Sequence, residues 1–199
     1  METDELCEDC REANSPLGGM RSAALHLPPF EQAVQALKYE GLRALAEPLG
    51  EVLAQCWSRA PYAATVVLPV PLHAARLRQR GYNQSLLLAR EFARRVDLPV
   101  QGDVLVRERN TRSQVGLSGN ERQANVSGAF RCRSDALRGE KVLLIDDVLT
   151  TGATLEACAG ALGDAGVDGV WALTVTRAVG PRSGGPGDDG KPHPDVQRA

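Results

Sequence analysis

Two adjacent carboxylates, Asp146 and Asp147, follow four apolar residues and precede the hydroxyl- and glycine-rich run Thr150-Thr151-Gly152-Ala153-Thr154. This order predicts a strand, a loop of phosphate size and the opening of a helix. Backbone N–H groups at a helix N-terminus, aided by the helix dipole, receive a phosphate dianion. Paired carboxylates at the carboxyl end of a strand accept hydrogen bonds from two neighbouring hydroxyls. A ribose 5-phosphate offers both groups, a phosphate at one end and a cis-diol at the other.

Two plainer accounts compete. Acids at a strand end are often merely solvated. A strand ending in Asp would also hold Mg²⁺ beside a nucleotide, but that arrangement requires a Walker A loop. Gly185 to Lys191 has the glycine–lysine spacing, yet Pro192 stands where Ser or Thr is required, and no strand pattern precedes it. An acid pair followed at once by a hydroxyl-rich loop is rarer than either part, and it favours the sugar phosphate.

The remaining elements must position this segment. Phe30, Ala33, Val34 and Leu37 mark one face of a helix, and Leu42, Leu45, Leu49, Val52 and Leu53 mark a second. Pro48 predicts a kink there, or a helix that begins near it. Ala64 to Pro71 reads as a buried strand and a rigid loop. Asn83 is a suitable N-cap for a helix carrying Leu86, Leu87, Phe92, Ala93 and Val96. A short strand at 104–106, a polar stretch from Arg107 to Gly116, a short helix at 118–124 and a strand at 129–131 follow. Lys141 to Ile145 is the central strand, with a helix from about Thr151 to Ala165 and a last strand from Val170 to Thr176. Strands and helices alternate, and the strands are continuously apolar. This predicts an α/β fold with a mainly parallel sheet covered on both faces. Residues 1 to about 28 show no clear periodicity, and 180–199 are Gly, Pro, Asp and Ser with almost nothing to bury, which predicts a disordered tail.

The 199 residues suffice for one well-filled domain, and aromatics are only 4%, so the core is aliphatic. A net charge of -2 argues against a general nucleic-acid or membrane binder. Charge is uneven, however: Arg76 to Arg95 holds six arginines against Glu91. Only Lys38, Lys141 and Lys191 are lysines among 23 basic residues. Arginine suits bidentate phosphate recognition, although a coding bias explains much of the count. No basic, apolar leader is visible and the apolar runs are too short to span a bilayer, so the expected location is cytoplasmic. Five cysteines in a reducing compartment predict no disulfide framework, and Cys56, Cys132 and Cys158 read as small core residues.

The segment Val142 to Thr154 resembles the phosphoribosyl pyrophosphate (PRPP) motif of type I phosphoribosyltransferases. Phe30 to Gly41 (FEQAVQALKYEG), Val70 to Ser85 (VPLHAARLRQRGYNQS) and Arg107 to Phe130 (RERNTRSQVGLSGNERQANVSGAF) resemble the ComF family, bacterial cytoplasmic proteins linked to DNA uptake during natural competence. The likeness runs from about Phe30 to Arg177. It implies a type I phosphoribosyltransferase fold, a mainly parallel twisted sheet with helices on both faces and a small N-terminal hood, with the domain at 29–179.

The resemblance also implies roles. Asp146 and Asp147 would bind the ribose hydroxyls, and Thr150, Thr151, Gly152, Ala153 and Thr154 would wrap the 5-phosphate. The loop Pro69 to His73, with Val70, Pro71 and Leu72 at its centre, would hold pyrophosphate, with Arg76, Arg80, Asn83 and Gln84 beside it. From the residues alone, Pro69 and Pro71 stiffen this loop and the arginines offer forks for phosphate oxygens. Arg107, Arg109, Thr111, Arg112 and Gln114 fall where the superfamily has a mobile loop that closes over substrate, and basic residues there would neutralise a leaving pyrophosphate. Asp146, Asp147, Arg107 and Arg109 are thus the candidate catalytic residues. Glu108 and Glu121 dilute that charge.

The family often carries an N-terminal four-cysteine zinc module. Here Cys7 and Cys10 form a single C-x-x-C pair, two ligands short of a closed structural site. The pair would be the remnant of such a module in segment 1–28. Two functions stay open. One is an enzyme of the glycosyltransferase class that binds PRPP with Mg²⁺ and transfers the phosphoribosyl group to an acceptor with release of pyrophosphate. The other is a non-catalytic PRPP sensor or competence accessory that contacts single-stranded DNA or the competence machinery, although few aromatics are available to stack bases.

Overall fold

The computed structural model describes residues 15–109 and 128–179. The predicted helix at 118–124, the tail from Gly180, Thr111, Arg112, Gln114, Cys7 and Cys10 lie outside the described residues.

Four parallel strands form the main sheet. They are β1 (Gly19–Leu25), β2 (Val66–Pro69), β5 (Lys141–Leu149) and β6 (Gly169–Arg177), in the order β1-β6-β5-β2. β3 (Leu105–Arg107) and β4 (Phe130–Cys132) form a separate antiparallel pair. The helices are α1 (Phe30–Tyr39), α2 (Ala46–Arg59), α3 (Ala74–Arg80), α4 (Gln84–Val96) and α5 (Ala153–Gly163).

Alternation along the strands divides the interior in two. Val142, Leu144, Val170 and Ala172 face one side and pack with Leu155, Cys158, Ala159 and Leu162 of α5 and with Leu105 and Phe130 of the small hairpin. Val67, Leu143, Ile145, Leu173 and Val175 face the other side and meet α1, α2 and α4 through Leu37, Leu53 and Phe92. Burial on both faces explains why β2 and β5 read as unbroken apolar runs. On that second side α2 and α4 cross closely at Gly50, where an added Cβ would come within 2.5 Å of Glu91 Cβ.

Pro48 is the third residue of α2, in the first turn where its missing N–H costs no hydrogen bond. The helix therefore starts just ahead of the proline, after a short 3₁₀ turn at Arg43–Leu45. Two differences from expectation concern the sheet. The stretch before Phe30 contains β1, which lies parallel to β6 with Gly19 opposite Trp171 and Leu25 opposite Arg177. Its residues are half-buried at a sheet edge, which leaves little periodic signal. The acids also do not end β5. The strand continues to Leu149, pairing Asp146 with Thr174 and Val148 with Thr176. Opposite these positions β6 also turns polar, with Thr174 and Thr176 buried in the ladder. Among the described residues no helix is long and apolar enough to cross a membrane.

Candidate active site

The carboxyl half of β5, the turn after it and the start of α5 form one wall of a cleft of about 310 Å³. Asp146, Asp147, Val148, Leu149, Thr150, Gly152 and Thr154 contribute to that wall. Facing them are Val70, Pro71 and Leu72 from the turn after β2, Arg76 and Arg80 from α3, and Arg107 from β3. Segments far apart in sequence thus meet in one cleft. Thr151 is exposed and Ala153 buried beside the cleft, and neither lines it.

The turn into α5 is made by Gly152, whose φ of +83° is left-handed and favours glycine. Gly152 is the N-cap of α5, and it lines the cleft with Thr150 and Thr154, so the start of the helix borders the cleft. This is the anion-receiving geometry of a helix N-terminus.

The acids are held from several elements. Asp146 Oδ1 accepts the Ser85 hydroxyl at 2.9 Å and the Asp147 N–H at 2.9 Å. Desolvation in the cleft, then the charge of Asp147, push the Asp146 carboxyl from its ordinary 3.8 up to about 7; Lys38, the Asp147 amide and Ser85 oppose the rise. Asp147 is 4% exposed. Its Oδ1 lies 2.7 Å from Lys38 Nζ at the end of α1, and its Oδ2 is buried with no hydrogen-bond partner. Burial works against the Lys38 charge, but Asp147 more than compensates and the ammonium's pKa is raised. Beneath the acids, β6 changes from Val170 and Ala172 to Thr174 and Thr176. The Thr176 hydroxyl donates to the Asp147 carbonyl at 3.3 Å and lies 2.9 Å from His26 Nδ1.

Asn83 organises the opposite wall. Its Oδ1 caps α4 by accepting the Ser85 N–H at 3.0 Å, while its Nδ2 donates to the Val70 carbonyl at 3.0 Å. One side chain therefore fixes both the Val70 turn and the helix that presents Ser85. Arg80 donates to Gln84 Oε1 and lies 5.3 Å from the centre of the Tyr39 ring. Burial, then the positive charge of Arg76, lower the Arg107 pKa, so an anion entering between them would be favoured.

Two further expected positions, His73 and Arg109, also do not line the cleft. His73 caps α3, with Nδ1 accepting the Ala75 N–H at 3.2 Å, because a side-chain acceptor at that position satisfies an amide left open at the helix start. Arg109 is exposed and does not line the cleft, although its neighbour Arg107 does. Conversely, the pattern of the sequence assigned no role in this cleft to Lys38, Tyr39, Ser85 or His26, all of which line it. A lysine at the end of an amphipathic helix, in a chain that otherwise uses arginine, was the available signal for Lys38.

The model of the phosphoribosyl transferase domain matches residues 83–180, which span α4 to the end of β6. Competence protein F of Haemophilus influenzae is 35% identical over 114 residues, covering 56% of this chain and 50% of that protein. DNA utilization protein YhgH of Escherichia coli K12 is 30% identical over 178 residues, covering 85% of this chain and 78% of that protein. Among solved structures, the glutamine PRPP amidotransferase of B. subtilis, complexed with ADP and GMP, is 21% identical with a TM-score of 0.45, over 65% of this chain and 25% of that one. The fold is that of the type I phosphoribosyltransferases. Within that superfamily the chain belongs to the ComF family.

Proposed function

We propose that the cleft binds PRPP together with Mg²⁺ and transfers its phosphoribosyl group to an acceptor, releasing pyrophosphate. One observation carries this reading: the acid pair of β5 and the N-terminus of α5 share a single cleft with Arg76, Arg80 and Arg107. The phosphate would sit on the amides of α5 with Thr150 and Thr154, and Asp146 and Asp147 would accept the ribose hydroxyls. The Val70 turn and the arginines would hold the diphosphate.

In this arrangement catalysis is mostly positioning and electrostatics. Fixed guanidinium groups stabilise charge as it builds on the departing pyrophosphate. The acids keep the ribose oriented while its anomeric carbon becomes positive. The donor set fits Mg²⁺, a hard cation that uses one or two carboxylates plus substrate phosphates rather than a full protein cage. Asp147 Oδ2 is a buried oxygen acceptor with no partner, and among the described residues no three His, Cys, Asp or Glu cluster as a metal cage. Asp146 or Asp147 would support the ion, which would supply further neutralisation of the diphosphate.

Calorimetry with PRPP and Mg²⁺ tests the site, and pyrophosphate release across a panel of nitrogen bases tests turnover. Asp147→Asn should weaken PRPP binding by about 1.5–3 kcal/mol through loss of one charge-assisted hydrogen bond. Unchanged affinity in both Asp146→Asn and Asp147→Asn would sink the diol assignment.

A second reading is a PRPP-sensing or DNA-uptake accessory without turnover. The relatives named for competence and DNA utilization favour it, as do the arginines of α3 and α4. PRPP binding without release for any acceptor would favour sensing. Salt-sensitive affinity for single-stranded DNA that survives replacement of both acids by Ala would favour the DNA role.

A further inference from the structure

Lys38 stands where two hollows join. It lines the cleft, and it also lines an adjoining recess of about 430 Å³ together with Tyr39, Arg76, Gln79, Arg80 and Tyr82. Among the described residues the recess lining contains cations and no carboxylate. On the cleft side the ammonium meets Asp147 at 2.7 Å, and that carboxylate's other oxygen is buried without a partner. The acid proposed to grip a ribose hydroxyl is therefore already engaged by a counter-ion on a different element.

Ligands differ in how they act on this pair. Ribose hydroxyls are neutral donors, so ribose 5-phosphate brings nothing on the recess side that competes for the ammonium. A sugar carrying a diphosphate on its anomeric carbon brings several negative oxygens between Asp147 and the arginines. A lysine suits an exchange of partners, because its ammonium is a compact charge on a flexible stem rather than a rigid fork.

We infer that Lys38 is a specificity-determining residue that trades Asp147 for the diphosphate arm of the ligand, so that the site selects diphosphorylated ribose over ribose 5-phosphate. This rests on the proposed ribose-phosphate reading of the cleft. The exchange links two events: the arm draws the ammonium away, and the freed carboxylate closes on the hydroxyl.

The test is the ratio of PRPP to ribose 5-phosphate affinity, both with Mg²⁺, measured by calorimetry on the full chain. Lys38→Gln should shrink that ratio at least about tenfold, the loss of one hydrogen bond between charged groups, while ribose 5-phosphate affinity holds or rises. Equal losses for both ligands would mean that Lys38 only holds Asp147 in place, and would overturn the inference, as would an unchanged ratio. If Lys38→Gln fails to fold, Lys38→Gln combined with Asp147→Asn removes both charges together. Compared with Asp147→Asn alone, its ratio should again be about tenfold smaller, and equality would overturn the inference. A wild-type protein that binds neither ligand would instead sink the ribose-phosphate reading itself.

Discussion

The Ser85 hydroxyl donates to Asp146 Oδ1 across 2.9 Å, joining the first turn of α4 to the central strand. Ser85 is fully buried, so the bond is shielded from water. Ser85→Ala leaves the Asp146 oxygen with one donor fewer. Hydrogen bonds to charged groups contribute about 1.5–3 kcal/mol and neutral ones about 0.5–1.5. The variant should therefore lose more stability at pH 8, where Asp146 is ionised, than at pH 5.5. Urea denaturation at both pH values checks this, and equal losses would contradict it.

Asp146 itself gives a pH dependence of definite sign. Its folded pKa of about 7 lies above the ordinary 3.8. Between about pH 4 and pH 7 the folded state holds a proton that the unfolded state has released, so this group's contribution falls as pH rises through that window and levels off above it. Asp146→Asn removes the titration. Its stability relative to wild type should improve steadily from pH 4 to pH 7 in urea melts. A flat difference would contradict the assignment.

Gly152→Ala tests the phosphate turn. Its φ of +83° is left-handed, and an added Cβ would come within 3.3 Å of Met20 Cε. The left-handed conformation alone costs an L-residue about 1–2 kcal/mol. Thermal melts should fall by about 2–4 °C per kcal/mol lost, and ribose 5-phosphate affinity should fall as the α5 amides move. An unchanged melt would remove the requirement for glycine.

Gly50→Ala sets helix propensity against packing. Alanine favours a helix over glycine by about 1 kcal/mol. The added methyl, however, would sit 2.5 Å from Glu91 Cβ and 3.1 Å from the backbone of Glu91 and Phe92. Overpacking of this kind costs about 1–3 kcal/mol, and backbone cannot swing aside as a side chain can. The variant should be less stable than wild type in urea, against the propensity rule. A more stable variant would show that α2 and α4 separate easily.

Legibility in the sequence followed the physics of each position. β5 was readable because both of its faces are buried, so Val142 to Ile145 form an unbroken apolar run. Its true length was hidden because Asp146 and Asp147 look like a strand end, whereas Thr174 stands opposite Asp146 on the adjacent β6 and the Thr176 hydroxyl donates to the Asp147 carbonyl. Asn83 was readable as a cap because capping is local. Lys38 was not, since its role depends on Asp147 on another element. β1 was hidden for a related reason: a half-buried edge strand shows neither strict alternation nor a continuous apolar run. His73 stands near the candidate pyrophosphate loop, but an open amide at the start of α3 takes its ring nitrogen.

The placement of β1 beside β6 has a consequence for synthesis. Their side chains meet across 152 positions of sequence, as between Ser22 and Thr174. On the ribosome the earliest strand of the sheet must wait for the latest before it can pair, and topologies with such distant partners fold slowly. A nascent chain halted ahead of Gly169 should hold β2 against β5 with β1 uncommitted, and the His26 side of the cleft would be the last part of the protein to mature.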